Sequence, residues 1–116
     1  MKDEKVFAME FGRVYKALVA KAEKKGRTRA EVDAATSWLT GYTPEQIAAA
    51  EADGTAYGDF FRQEPEPNPH RDKVTGVVCG VRVEEVEDLT MREIRRLDKL
   101  VDELAKGKPL DTVLRA

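Results

Sequence analysis

From Phe7 the large apolar residues recur at Phe11, Val14, Tyr15, Leu18, Val19 and Ala22, the three-and-four spacing that lines one face of an α-helix. One continuous helix is therefore predicted here. Lys21, Lys24 and Lys25 near its end oppose the negative pole of the macrodipole, and Gly26 suits the left-handed residue that stops it. Thr28-Arg29-Ala30-Glu31 reads as a capping box that opens a second helix, which carries Val32, Ala35, Trp38 and Leu39 inward and stops at Gly41. The strongest local signal is Tyr42-Thr43-Pro44-Glu45-Gln46-Ile47. It combines an N-cap, a proline at the first helical position, a capping glutamine and a Tyr42 to Ile47 hydrophobic staple. The third helix so begun ends at Asp53-Gly54, after which Thr55 is expected to cap a short turn that sets Tyr57, Phe60 and Phe61 against the core.

Pro65, Pro67 and Pro69 alternate with polar residues, so an extended surface linker is expected to separate residues 1–64 from residues 70–116 within one domain. Beyond it the pattern satisfies two periods at once. Val74, Val77, Val78 and Val81 fit a helix, with Gly76 and Gly80 on a neighbouring line where another helix could approach. Val77, Cys79, Val81 and Val83 fit a strand, whose nearest candidate partner is the short stretch from Val6 to Met9. A lone strand cannot satisfy its backbone, so helix is the expectation over Val74 to Val86 and a short hairpin the alternative. Asp88 then caps a last long helix whose Met91, Ile94, Leu97, Leu100, Val101 and Leu104 form a continuous stripe ended by Gly107 and Pro109, and Leu110, Val113 and Leu114 predict a final docking turn. The expected fold is mostly α, a small single-domain bundle of about five helices. The last helix and the segment from Gly76 to Val83 are expected to form its centre.

Composition changes this picture little. The chain of 116 residues is 41% hydrophobic and 36% charged, which suits one folded domain. A formal charge of -2 offers no broad positive field to nucleic acid or an anionic membrane. The charged start from Met1 to Lys5 is followed by no apolar run that suits export or membrane insertion, and a single cysteine, Cys79, fits a reducing compartment. The expected location is cytoplasmic.

Candidate chemistry is sparse. His70, the only histidine, lies between Pro69 and Arg71 and is expected to be solvated or part of a helix start. One histidine and one cysteine cannot close a zinc site, and the carboxylates Glu84, Glu85, Glu87 and Asp88 read more readily as a solvated face than as magnesium ligands. Cys79, among valines, is expected to be a buried, inert thiol. Gly76 and Gly80 are expected to admit a packed helix rather than a phosphate, since no phosphate-loop lysine follows. The basic cluster Lys21, Lys24, Lys25, Arg27 and Arg29 is the one nucleic-acid feature. The helix that would have to follow it into a groove carries Glu45, Glu51 and Asp53 and no Lys or Arg.

Four stretches in order, KKGRT (Lys24 to Thr28), WLTGY (Trp38 to Tyr42), GVVCGVRVEE (Gly76 to Glu85) and LDKLVDELAKG (Leu97 to Gly107), resemble the bacterial domain-of-unknown-function family 2200. The resemblance spans nearly the whole chain, departs from the family pattern at Leu89, where a proline often opens the last helix, and brings no reaction or ligand. The expected function is a binding or interaction module without catalytic activity, catalytic residue, cofactor or metal. Its expected partner is a protein or a second copy of the chain, not nucleic acid or membrane. The alternatives are a small enzyme using Cys79 or the run from Glu84 to Asp88, and a nucleic-acid binder using the cluster from Lys24 to Arg29.

Overall fold

Both threonine boxes close as their sequences require. Thr28 Oγ1 accepts from the Glu31 amide while the Glu31 carboxylate accepts from the Thr28 amide, and Thr43 and Gln46 make the same reciprocal pair. The structure, a computed structural model, describes residues 2–115. Its helices are α1 (Lys2–Ala8), α2 (Phe11–Glu23), α3 (Arg29–Thr40), α4 (Pro44–Ala52), α5 (Tyr57–Arg62), α6 (Leu89–Ala105) and α7 (Leu110–Val113), with strands β1 (Val77–Val78) and β2 (Val81–Arg82) between α5 and α6.

The single helix expected from Phe7 to Ala22 is broken in two. Glu10 is extended and pairs across an isolated bridge with Ala56; the Phe11 amide donates to the Thr55 carbonyl at 2.8 Å and the Tyr57 amide to the Met9 carbonyl at 2.7 Å. Backbone pairing with a remote segment thus overrides the helical period, and Phe7 and Phe11 end on different helices. The same pairing occupies the Val6 to Met9 neighbourhood that was the candidate partner for a later strand. It also displaces the expected cap: Ala56, not Thr55, precedes α5, and the Thr55 side chain turns to Asp53.

Helix α6 runs through the centre, its Leu97, Leu100, Val101 and Leu104 fully buried against α2, α3, α5 and α7. Phe60 completes an aromatic stack between Phe11, at 3.9 Å between ring centroids, and Tyr42, at 4.3 Å.

The region from Val74 to Val86 is a hairpin rather than a helix, and it lies at the edge rather than the centre. Val77 pairs with Arg82 and Val78 with Val81, and the two connecting residues, Cys79 and Gly80, have φ of 53° and 75°. Two positive φ angles are what a type I′ turn demands and a helix forbids. The strand therefore finds its partner four residues away. Val78 and Val83 are buried, whereas Val77 and Cys79 are exposed. A Cβ at Gly76 would meet only the flexible end of Lys99, 3.3 Å away, and one at Gly80 nothing within 4 Å, so neither glycine admits a packed helix.

The proline segment does not act as a spacer. Alternation leaves Glu66 and Asn68 with free amides on one side, and these donate to the Thr40 carbonyl at 3.0 Å and the Leu39 carbonyl at 3.1 Å, satisfying the open end of α3. Gly41, at φ 82°, lies so close beneath this strap that a Cβ there would sit 2.6 Å from the Glu66 Cβ. The strap carries Glu64 at one end and Arg71, in a 3-10 turn (Arg71–Lys73), at the other. Both residues are thereby brought against the first turns of α6. Among the described residues no helix is long and apolar enough to cross a membrane.

Candidate functional site

Helix α6 carries two acids and a base on its otherwise apolar side. Glu93 lies on the line that continues through Leu97, Leu100 and Leu104, and it is 3% exposed; Arg96, one turn on, is 9% exposed. Burying charge is costly unless it is paired, and Arg96 Nη1 donates to Glu93 Oε1 at 2.8 Å. Arg71 Nε approaches the same oxygen at 3.9 Å, and Arg71 Nη1 is held by the Asn68 carbonyl at 2.9 Å.

Glu64 completes the group. Its carboxyl faces that of Glu93, and Glu64 Oε1 and Glu93 Oε2 are both buried without a hydrogen-bond partner among the described residues; two adjacent carboxylates cannot both ionise cheaply. Burial foremost, then the bond to Glu93 and its charge, pushes Glu64 well above the ordinary carboxyl range, while Arg71 and Arg96 act in the opposite sense. Glu64 is therefore the carboxyl that holds its proton.

This group opens to solvent. A cleft of about 250 Å³ is lined by Glu64, Arg71, Thr90, Glu93 and Arg96, and a second of about 350 Å³ by Pro69, Arg71, Arg92 and Arg96. Arg71 and Arg96 line both, as does Leu89, whose side chain is 74% exposed at the first residue of α6. Arg92 uses its Nε on the Val86 carbonyl at 2.7 Å, and Arg96 Nε is buried without a partner. With Glu64 protonated, the two clefts present Arg62, Arg71, Arg92 and Arg96 against Glu93 and Asp72.

None of the candidates picked out by sequence pattern lies here. Cys79 is exposed on the hairpin turn, not buried among valines, because the strand alternation and the turn put its side chain in solvent. His70 is exposed and precedes the 3-10 turn. The acidic run is dispersed. Glu84 accepts from the Gly76 amide, which lowers its pKa, and also pairs with Arg82; Glu85 pairs with Arg82; Asp88 caps α6 through the Met91 amide at 2.9 Å. The basic cluster is largely consumed in tertiary structure. Arg27 forks onto Glu31 and donates to the Leu104 and Lys108 carbonyls at the end of α6; Arg29 pairs with Glu51 and Asp33; Lys21 reaches Asp102 at 3.3 Å. Lys24 and Lys25 remain exposed. The missed residues did leave a signal: Glu93, Arg96 and Glu103 are charges set into the apolar face of a helix, where a solvated residue has no place.

The solved crystal structure of uncharacterized protein SP1917 has this fold, with a TM-score of 0.92 and 52% sequence identity over 96% of this chain and 91% of that one. No curated protein matches the chain. The model of the family described as "Uncharacterized protein conserved in bacteria (DUF2200)" matches residues 5–115, and the chain belongs to that family.

Proposed function

We propose that the protein is a cytoplasmic binding module without catalytic activity of its own, and that its binding surface is the double cleft around Leu89. The observation that carries this reading is the exposure of an energetically costly group: Arg96 and Glu93 are buried together, yet beneath an open mouth. The apolar rim at Leu89 and convergent polar groups beneath it are what small-ligand sites combine. The enzyme alternative loses its support, since Cys79 and the Glu84 to Asp88 run lie on the hairpin and its exit, each acid there bound to its own neighbours or exposed. The nucleic-acid alternative loses Arg27 and Arg29 to internal partners.

The test is a thermal-shift screen of anionic, cationic and neutral small molecules against the wild type and Leu89→Trp, which fills the mouth from an exposed position. At least one class is expected to stabilise the wild type and not the variant. Equal shifts on both proteins, no shift with any class, or conversion of a ligand on prolonged incubation would each defeat the reading.

A further inference from the structure

The double cleft is richer in cation than its buried acid can neutralise. Arg71, Arg92 and Arg96 approach it from two elements, the 3-10 turn and α6, and their bonds among the described residues leave Nη donors unspent: Arg92 commits Nε to a carbonyl, Arg71 commits Nη1 to a carbonyl and turns Nε towards Glu93, and Arg96 commits Nη1 to Glu93 while its Nε is buried. An arginine fork with free N–H groups is the donor geometry that oxyanions take. The cleft also begins at the N-terminal turn of a 17-residue helix, with Thr90 in its lining, so the positive pole of that helix adds to the arginines. The volumes, about 250 and 350 Å³, suit a small molecule rather than a folded partner.

We propose that the cleft binds a small organic oxyanion, a carboxylate or phosphate monoester, which docks on Arg71, Arg92 and Arg96 and lays its apolar part against Leu89. This rests on the binding-module reading and names its ligand class.

The site carries its own proton linkage. Glu64 is faced by Glu93 and Arg96 from α6, by Arg71 from the 3-10 turn, by Arg62 at the end of the preceding helix α5 and by the Tyr42 phenol from the α3–α4 connection. While Glu64 keeps its proton it adds no charge to the cleft. Loss of that proton adds a negative charge beside Arg71 and Arg96 and competes with an incoming anion. Binding of an oxyanion should therefore weaken as pH rises.

The experiment is calorimetric titration with four matched probes, benzoate, phenyl phosphate, benzamidine and benzyl alcohol. Benzoate or phenyl phosphate is expected to bind, with benzamidine and benzyl alcohol at least tenfold weaker, and the two anions distinguish carboxylate from phosphate preference. Arg92→Glu and, independently, Leu89→Glu, both at positions outside the packed core, should each weaken the bound anion tenfold or more. The affinity for benzoate, whose own charge is constant over the range, should fall with rising pH in the wild type and stay flat in Glu64→Gln. Anions that bind no tighter than benzyl alcohol, or as tightly to both charge variants, overturn the oxyanion inference. Binding of benzamidine or benzyl alcohol alone, lost in Leu89→Trp, overturns it too while leaving the binding-module reading standing.

Discussion

Glu93 and Glu103 lie on one helix, are both 3% exposed, and stand in different surroundings. Glu103 receives two cations. Arg115 Nη2 lies 2.5 Å from its Oε2 and Lys108 Nζ 3.7 Å from the same oxygen, while the Lys108 amide donates to the Glu103 carbonyl. These bonds fold the segment after α6 back and hold α7 in place. Glu93 also receives two cations, Arg96 at 2.8 Å and Arg71 at 3.9 Å, but it faces a second acid, Glu64, at a solvent-open cleft. Each acid keeps one carboxyl oxygen buried without a partner among the described residues. They differ in what stands beside them: cations alone at Glu103, and at Glu93 a second acid and an open cleft with arginine donors at its mouth. The difference separates an acid buried for folding from one buried where a ligand can reach its partners.

The largest expected effect is at Glu103. Glu103→Gln leaves the partly exposed Arg115 and the half-exposed Lys108 without a counter-charge, and the loss should be about 2 kcal/mol, below that of a pair whose remaining charge is fully buried. Glu93→Gln should cost about 1 kcal/mol, because Glu64 can then ionise and take over beside Arg96 with water at hand. Urea unfolding of the two variants measures the difference. Equal losses, or a larger one at Glu93, would remove the distinction between the two acids.

A smaller effect tests the proton on Glu64. A carboxyl whose folded pKa is raised holds its proton more tightly in the folded chain, so the linked stability is complete below the unfolded value, near 4.5, and is lost as pH rises towards the folded value. Glu64 is half-buried and solvent-screened, so the slope should fall below the ~1.4 kcal/mol per pH unit of one fully linked proton. Glu64→Gln keeps a donor for Glu93 and cannot ionise. Its stability should match the wild type at mildly acidic pH and exceed it in alkali, measured as the denaturation midpoint across pH. The surface acid Glu31 gives a control of opposite sign. Arg27 foremost, with the Thr28 amide, holds its carboxyl down at about 2, so its contribution is present above 4.5 and lost as pH falls towards 2.

What the sequence made legible was whatever is decided within a few residues. The boxes at Thr28 and Thr43, the Asp88 cap and the apolar stripe of α6 all depend on neighbours one or two turns away, and all are present. The failures share a longer reach. Glu10 leaves the helical period because Ala56 pairs with it; the proline strap is fixed by carbonyls on α3; Glu64 meets Glu93 only because that strap turns the chain there. The hairpin is the exception. Its two-residue turn is local, but Cys79 at positive φ carries none of the Asn or Gly signal that marks such a turn, and the valines fit either period. Most of the fold was therefore readable, and of the site only the misplaced charges at Glu93 and Arg96.

The smallest effect is expected at that turn, which lies outside both acid sites and so tests whether their behaviour is their own. Cys79 is exposed and holds φ of 53°, a conformation that asparagine tolerates better than other residues with a Cβ. Cys79→Asn should therefore stabilise the hairpin by a few tenths of a kcal/mol, at the low end of effects from relieving a left-handed residue. It removes no packed group, since the side chain faces solvent. The native protein should accordingly react with a thiol reagent about as fast as the denatured chain, and the variant not at all. The pH slope attributed to Glu64 should be unchanged, and so should the loss caused by Glu103→Gln when the two substitutions are combined, because distant sites without shared partners add. Slow labelling that accelerates only on unfolding would place Cys79 in a packed interior and contradict the hairpin. A pH slope altered by Cys79→Asn would tie the turn to the cleft and end the treatment of Glu64 and Glu93 as a self-contained pair.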